Sequence, residues 1–429
     1  MTAERTICGR LLSFRDGGHV FHEKGAIVIS REGRILWSGA RSGLSPEHAR
    51  LATDDYGTCL VIPGFIDPHI HFPQYRILAA PADGLMEWLA RYTFPEEARY
   101  GDKRHAEAAA AVFLQRLFAA GTTAILAFSS VHKLCAEVLF SAAEARRMAL
   151  ITGKTMMDRN AIPELHDDPQ TSVRESEQLL DKWHGRGRAR YAISPRFAIT
   201  SSEAQLKLAG ELLRANPGVL LQTHLSESRL EIDTVRQLYP DAPDYTSVYE
   251  GFGLLGEHSL FAHGIHLSES ECRRLHETGS KILHCPTSNT FLGSGLFDMA
   301  FLQAKARPVA VGLASDIGGG TSYSMLATMA EAYKVAMLRG IRLTALQLFD
   351  MATRGNAALL GLSGEIGTLE SGAYADIAVL DPEATPVLKS RQPLSRTLED
   401  ILFALMMLGD ERAVRAAYVA GTRVHHGET

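Results

Sequence analysis

Little in this sequence points away from the ordinary globular class. Five cysteines in 429 residues, Cys8, Cys59, Cys135, Cys272 and Cys285, form no Cys-x-x-Cys pair and no regular spacing. That excludes a disulfide-stapled scaffold and leaves reduced thiols as the default. The Pro-Cys-x-x-Cys element with which one class of zinc enzymes holds its ion is missing, so that fold is excluded too. No charge of one sign dominates: 44 Lys and Arg against 49 Asp and Glu leave a formal net charge of -5, with no basic surface for nucleic acid. The most apolar stretches, Ala108–Ala120 and Ile401–Leu408, fall well short of the ~20 residues a membrane-spanning helix needs. The opening Met1-Thr2-Ala3-Glu4-Arg5 lacks the basic start, long apolar middle and small-residue cleavage site of a secretory signal, and the expectation is a cytoplasmic protein without a membrane partner. Low-complexity linkers and solenoid repeats are also missing.

What is present has two textures. The first ~60 residues read as short extended pieces, at Ile27–Ser30, Arg34–Gly39 and Leu60–Ile62. From about 103 to 360, amphipathic helical stretches alternate with short β-branched runs, as in repeated βα units around a parallel sheet. The expected strands are Ala124–Phe128, Ile151–Met156, Tyr191–Ser194, Leu220–His224, Ser259–His263, Lys281–His284 and Val309–Leu313, with an eighth at Val61–His71. Capping-box patterns at Thr200-x-x-Glu203, Ser268-x-x-Glu271 and Thr344-x-x-Gln347 mark helix starts. After ~365 the chain returns to Gly- and β-rich texture, extended at Ala375–Leu380 and Ala417–Val419 around an apolar helix at Ser395–Leu408. The fold class expected is therefore α/β: a (β/α)8 TIM-type barrel at 63–364, with a small β-sandwich domain built from both chain ends, 1–62 and 365–429.

The densest chemistry lies in Pro63-Gly64-Phe65-Ile66-Asp67-Pro68-His69-Ile70-His71-Phe72-Pro73-Gln74-Tyr75. Two histidines at i and i+2 of a strand face the same way and can reach one metal; two hydrogen-bonded core histidines are the plain alternative. Partners recur at one address. The run Gln222-Thr223 ends in His224 with Glu227 three residues on, Leu260-Phe261-Ala262 ends in His263, and Val311–Ser315 ends in Asp316. All sit at strand C-termini, the face that holds barrel active sites, and such repetition is hard to obtain by chance. His69, His71, His224 and Asp316 offer three imidazole nitrogens and one carboxylate, leaving a divalent ion an open position for water. Zinc, one per subunit, fits this set best and lowers the pKa of a bound water to roughly 7.

With His284-Cys285-Pro286-Thr287-Ser288-Asn289 added, the chain resembles the amidohydrolase superfamily over most of its length. The His-x-His segment through Tyr75, Tyr92-Thr93-Phe94-Pro95, Ser194-Pro195-Arg196-Phe197 and Gly318-Gly319-Gly320-Thr321-Ser322-Tyr323-Ser324-Met325 are similar to its guanine deaminase branch. The chain departs from that pattern in having Ser194, Thr287 and Ser315 where the branch more often has Thr, Asn and Thr. The resemblance implies that a metal-activated water attacks carbon 2 of guanine, that Asp316 accepts its proton, and that Glu227 carries protons to ring nitrogen 3 and the departing amine. It implies that His263 hydrogen-bonds the water, or else touches the metal weakly. For the purine it implies Arg196 as donor to the carbonyl, Phe197 as stacking face and Gln74 along the ring edge, with His71 and His224 beside the substrate. Adenine would set an amine against Arg196, a costly mismatch when buried. Superfamily members with two metals bridge them by a lysine at the end of the fourth strand; here that place holds Ser194-Pro195-Arg196, and Lys154 falls on the third. One metal is expected, in a subunit that the resemblance makes half of a homodimer. A related zinc aminohydrolase acting on 8-oxoguanine or a triazine, and an inactive scaffold of the same fold, stand as alternatives.

Other signals fail on context. Gly251-Phe252-Gly253-Leu254-Leu255-Gly256 matches a dinucleotide-binding string but follows a helix and precedes a strand, the reverse of the required order. Gly153-Lys154-Thr155 lacks the first glycine of a phosphate loop, since Met148 stands there. His284 and Cys285 read as a structural pair, and His425-His426 as a solvated tail. The insertion carrying Trp88, Leu89, Tyr92 and Phe94 reads equally as a lid over the barrel or as a subunit interface.

Overall fold

A computed structural model of the chain describes residues 1–427. Its strands form two sheets. The first has seven strands in the order β16-β15-β14-β4-β1-β2-β3: β1 (Ala3–Arg15), β2 (Gly18–Ser30), β3 (Ile35–Ala40) and β4 (Ala52–Pro63) from the N-terminal end, and β14 (Ile377–Leu380), β15 (Val414–Val419) and β16 (Thr422–His426) from the C-terminal end. β4 runs parallel to β1 and antiparallel to β14, so the two chain ends are knitted through one central strand. The other sheet is the parallel barrel, ordered β5 (Phe65–His71), β6 (Thr122–Phe128), β7 (Ala149–Gly153), β9 (Ala189–Pro195), β10 (Leu220–Leu225), β11 (Ser259–His263), β12 (Lys281–His284) and β13 (Ala310–Leu313), with the two-residue β8 (Thr155–Met156) extending the third position against β9. The expected TIM-type barrel and the β unit from both termini are both present.

Several local expectations shift. The run Val61–His71 is two strands, because the chain passes from one sheet to the other at Gly64, whose amide donates to Asp376 O at 2.9 Å. A Cβ there would lie 2.2 Å from Thr123 Oγ1, so no larger residue fits the crossing. Of the short pieces expected near the N-terminus, Ile27–Ser30 and Leu60–Ile62 lie toward the ends of strands of 13 and 12 residues and Arg34–Gly39 overlaps the six-residue β3, while the 13-residue β1 was not expected. Polar outward residues on their exposed halves masked that length, since period-2 alternation is clear only where one face is buried. Ser268 and Thr344 cap as expected, but Thr200 does not: Ser202 caps the helix Glu203–Ala215 by accepting from Gln205 N, and Thr200 Oγ1 turns to Phe197 O.

The interior of the barrel is filled by Ile66, Leu126, Ile151, Leu220, Leu260 and Leu283, whereas Ile70, Leu221 and Phe261 pack outward against the helices. On β5 the register slips between Asp67 and Ile70, so one extra residue opposes β6 there. This bulge lets Ile66 and the pair His69, His71 face the same interior although their spacing is odd. The two ends of the strand path meet without a ladder among the described residues. They are joined instead by Asp316 N donating to His69 O at 3.0 Å, His71 N to Ile317 O at 2.6 Å, and the buried Asn356. Asn356 donates to Ile66 O and Leu313 O, each at 2.8 Å, and accepts from Leu313 N at 3.1 Å. Asp67 accepts from Ser315 N at 3.1 Å and from its hydroxyl across the same seam.

Candidate active site

The C-terminal rim of the barrel collects the residues singled out above. β5 delivers His69 and His71, β10 delivers His224, β11 ends at His263, and Asp316 follows β13. Asp316 Oδ1 lies 3.3 Å from Nε2 of both His69 and His71, and His71 Nε2 lies 3.2 Å from His224 Nε2. His224 Nδ1 faces Arg196 O at 2.7 Å, which requires the proton on Nδ1 and leaves the Nε2 lone pair aimed at the cluster. The Nδ1 atoms of His69 and His71 have no hydrogen-bond partner among the described residues. Buried lone pairs facing one another and a carboxylate repel unless a cation lies between them, and the donors of His69, His71 and His224 all lie within 4.8 Å of one another.

Electrostatics suits the same reading. Burial pushes His71 down to about 4 and His263 to about 3, and holds His224 well below its ordinary value, so all three imidazoles are neutral. Burial alone would raise Asp316, but the Nε2 atoms of His69 and His71 at 3.3 Å and the neighbouring His263 overcome it and hold its carboxyl well below the usual range. Glu227 goes the opposite way: burial, then the nearby Glu231 and Asp316 carboxylates, raise it well above an ordinary glutamate. Two carboxyls whose environments push them apart form an acid and base pair. Glu227 Oε2 lies 3.2 Å from His263 Nε2, and its Oε1 accepts from Ser294 Oγ at 3.0 Å. Asp316 is held at φ 55, a left-handed conformation that costs a non-glycine residue on the order of 1–3 kcal/mol and is characteristic of functional sites.

Beside this cluster opens a small cavity lined by Gln74, Trp88, Leu89, Arg196, Phe197 and Leu292 together with the site residues. Trp88 and Leu89 come from the insertion after β5, which therefore roofs the site of its own chain. Gln74, Arg196 and Phe197 all reach the cavity, but Arg196 is not free: its Nη1 donates to both oxygens of Glu97, at 2.7 and 2.8 Å. Glu97 carried no sequence signal of its own beyond lying two residues past Phe94-Pro95. Ser294, Asn289 and Glu231 were also missed. Asn289 stands inside the His-Cys-Pro-Thr-Ser-Asn motif and sets its Nδ2 3.0 Å from His263 Nδ1. Glu231 belongs to a readable capping box with Ser228.

The remaining residues fall outside the chemistry. Lys154 is fully buried but pairs with Asp167 and lies 3.8 Å from Glu175, away from the histidines. His284 turns outward and stacks on Phe297 at 4.2 Å. Cys285 Sγ does lie within 4.8 Å of donor atoms of His69, His263 and Asp316, yet burial and the surrounding carboxylates raise its thiol far above the ordinary range, so it stays protonated.

An Amidohydrolase family model matches residues 60–424. The chain belongs to the amidohydrolase family. This amidohydrolase is 43% identical to the guanine deaminase of Escherichia coli K12 over 406 residues, covering 94% of this chain and 92% of the relative. It superposes on the crystal structure of guanine deaminase from Bradyrhizobium japonicum with a TM-score of 0.96 at 34% identity, over the whole of both chains. A guanine deaminase from C. acetobutylicum, solved with guanine bound in its active site, matches with a TM-score of 0.89 at 28% identity, covering 99% of this amidohydrolase and all of that chain.

Proposed function

We propose that this chain is a guanine deaminase, hydrolysing the 2-amino group of guanine to give xanthine and ammonia. One observation carries the reading: a buried donor set of metal type opens onto a cavity edged by Gln74, Arg196 and Phe197, in a chain 43% identical to a guanine deaminase over 94% of its length. His69, His71, His224 and Asp316 would hold the ion, and zinc suits three imidazoles and a carboxylate. Its contribution when bound is Lewis acidity, which brings a water to a pKa of about 7 and supplies the nucleophile at neutral pH.

The chain's own residues do the rest. Asp316, ionised, accepts the proton of the attacking water, whose oxygen bonds to carbon 2. Glu227, held protonated, delivers its proton to ring nitrogen 3 and then serves the amine, so that the carbon–nitrogen bond breaks and ammonia leaves. His263 hydrogen-bonds the attacking water and steadies the charge that develops on it. Arg196 donates to the 6-carbonyl, Phe197 and the roof residue Trp88 cover the ring, and Gln74 meets its edge. An adenine amine in place of that carbonyl leaves Arg196 opposed to a donor, a penalty of about 1–3 kcal/mol or more.

The test is ammonia and xanthine release from guanine by purified, metal-loaded protein, run beside adenine, 8-oxoguanine, ammeline and cytosine. Preferential turnover of guanine is expected. Activity confined to another ring keeps the hydrolytic site and discards the substrate; silence on every ring discards the enzyme. A homodimer belongs to the same proposal, and sedimentation of the purified protein checks it.

A further inference from the structure

Glu97 lies on the short helix Phe94–Ala98 of the roof, not on a barrel strand, and is fully buried. Its Oε1 accepts from Gln74 Nε2 at 2.8 Å as well as from Arg196, so one carboxylate ties together the two polar groups of the cavity wall. The amide of Gln74 is thereby oriented, with its nitrogen on Glu97 and its Oε1 accepting the Gly318 N–H at 3.2 Å. The Arg196 guanidinium is held a second time by the same helix, its carbon 5.7 Å from the Phe94 ring centre. A buried arginine without this partner would carry an uncompensated charge, and its long side chain would be free to change rotamer. Paired, it offers directed N–H groups with no net charge, which suits a neutral oxo-purine.

We propose that Glu97 is a positioning residue that sets specificity for the 6-carbonyl, by fixing Arg196 and Gln74 so that their remaining N–H groups converge on that oxygen. The inference rests on the guanine reading. Its test compares guanine with 2-aminopurine, which keeps the 2-amino group and lacks the 6-carbonyl, on the metal-loaded wild type, Glu97→Gln and Glu97→Asp, with metal content and melting temperature recorded for each. Glu97→Gln is expected to lose at least about tenfold more in kcat/KM on guanine than on 2-aminopurine, mostly through KM, with its metal retained. Glu97→Asp, which keeps the charge but reaches less far, should recover part of that preference. Xanthine, which retains the carbonyl, should bind metal-depleted Glu97→Gln at least about tenfold more weakly than it binds metal-depleted wild type. Equal losses on both rings, or an unchanged guanine preference, overturn the proposal while the wild type stays active. If Glu97→Gln does not fold, a guanine preference in Glu97→Asp equal to wild type overturns it. A wild type inert on guanine overturns the functional reading and this inference together.

Discussion

The two carboxyls of the site are chemically similar, and the proposed mechanism gives them opposite work because their surroundings differ. Asp316 lies 3.3 Å from two histidine nitrogens, whereas Glu227 is buried near other carboxylates with the Ser294 hydroxyl and His263 Nε2 beside it. Glu227→Gln keeps shape and volume but removes the mobile proton, so turnover should fall by about 10²–10⁴ while metal content is unchanged; metal analysis beside an ammonia assay checks both, and retained turnover would remove Glu227 from the mechanism. Glu231, behind it, accepts from Glu227 N at 2.7 Å and Ser228 N at 3.0 Å. Burial raises its carboxyl from 4.5 to about 7 against those hydrogen bonds. A carboxyl raised on folding adds stability that is complete below its unfolded value and is lost as pH climbs through the folded one. Glu231→Gln keeps the amide-oxygen cap and abolishes that loss, so from pH 5 to pH 8 the unfolding free energy should shift in the variant's favour by about 3 kcal/mol. Denaturant titrations at the two pH values measure it, and a gap that does not move with pH refutes it.

Among the elements, the seam between β5 and β13 is where the barrel is least regular and where His69, His71 and Asp316 sit. Strand pairing ends there, and Asn356, from the helix Asn356–Leu359, satisfies three backbone groups that a ladder would otherwise have paired. Asn356→Ala leaves those buried groups unpaired and should cost about 3 kcal/mol, read as a lower urea midpoint. Because the seam separates His69 from Asp316, the variant should also release its metal to a chelator faster than wild type; stability lost without any change in metal retention would show that the seam does not set the site. The strands themselves were legible wherever a short β-branched run stood between amphipathic helices, as at Ser259–His263 and Lys281–His284, which match residue for residue. Val61–His71 was misread as one strand because both halves are apolar, and only the close approach of Thr123 to Gly64 separates them.

For the whole molecule, a metal held by His69, His71, His224 and Asp316 would tie strands far apart in sequence, adding its binding free energy to that of folding. Chelation should therefore lower the melting temperature, and zinc should restore it; calorimetry of apo and reconstituted protein measures the shift, and coincident transitions would mean these residues hold no ion. The terminal sheet is clamped to the barrel by Arg188, buried against Asp376 at 2.5 Å, while Tyr374 lies between Arg188 and Arg34. The barrel interior is continued instead by Ala357, Leu360, Leu362 and Ile366, which share its core.

The sequence by itself determined the architecture and the strand-end residues, because hydrophobic period and strand-end position are local properties and a (β/α)8 barrel converts chain order directly into position around a ring. His69, His71, His224, His263 and Asp316 were readable for that reason. Tertiary structure alone decided what lies behind them. Glu97 comes from a roof helix, Ser294 from a loop, and Asn356 from a helix after the last barrel strand, and each acts by meeting a residue distant in the chain. Glu97 and Arg196 are 99 residues apart and Asn356 and Ile66 are 290 apart. No local pattern records such partners, since a buried polar group is satisfied by whichever element the fold packs against it.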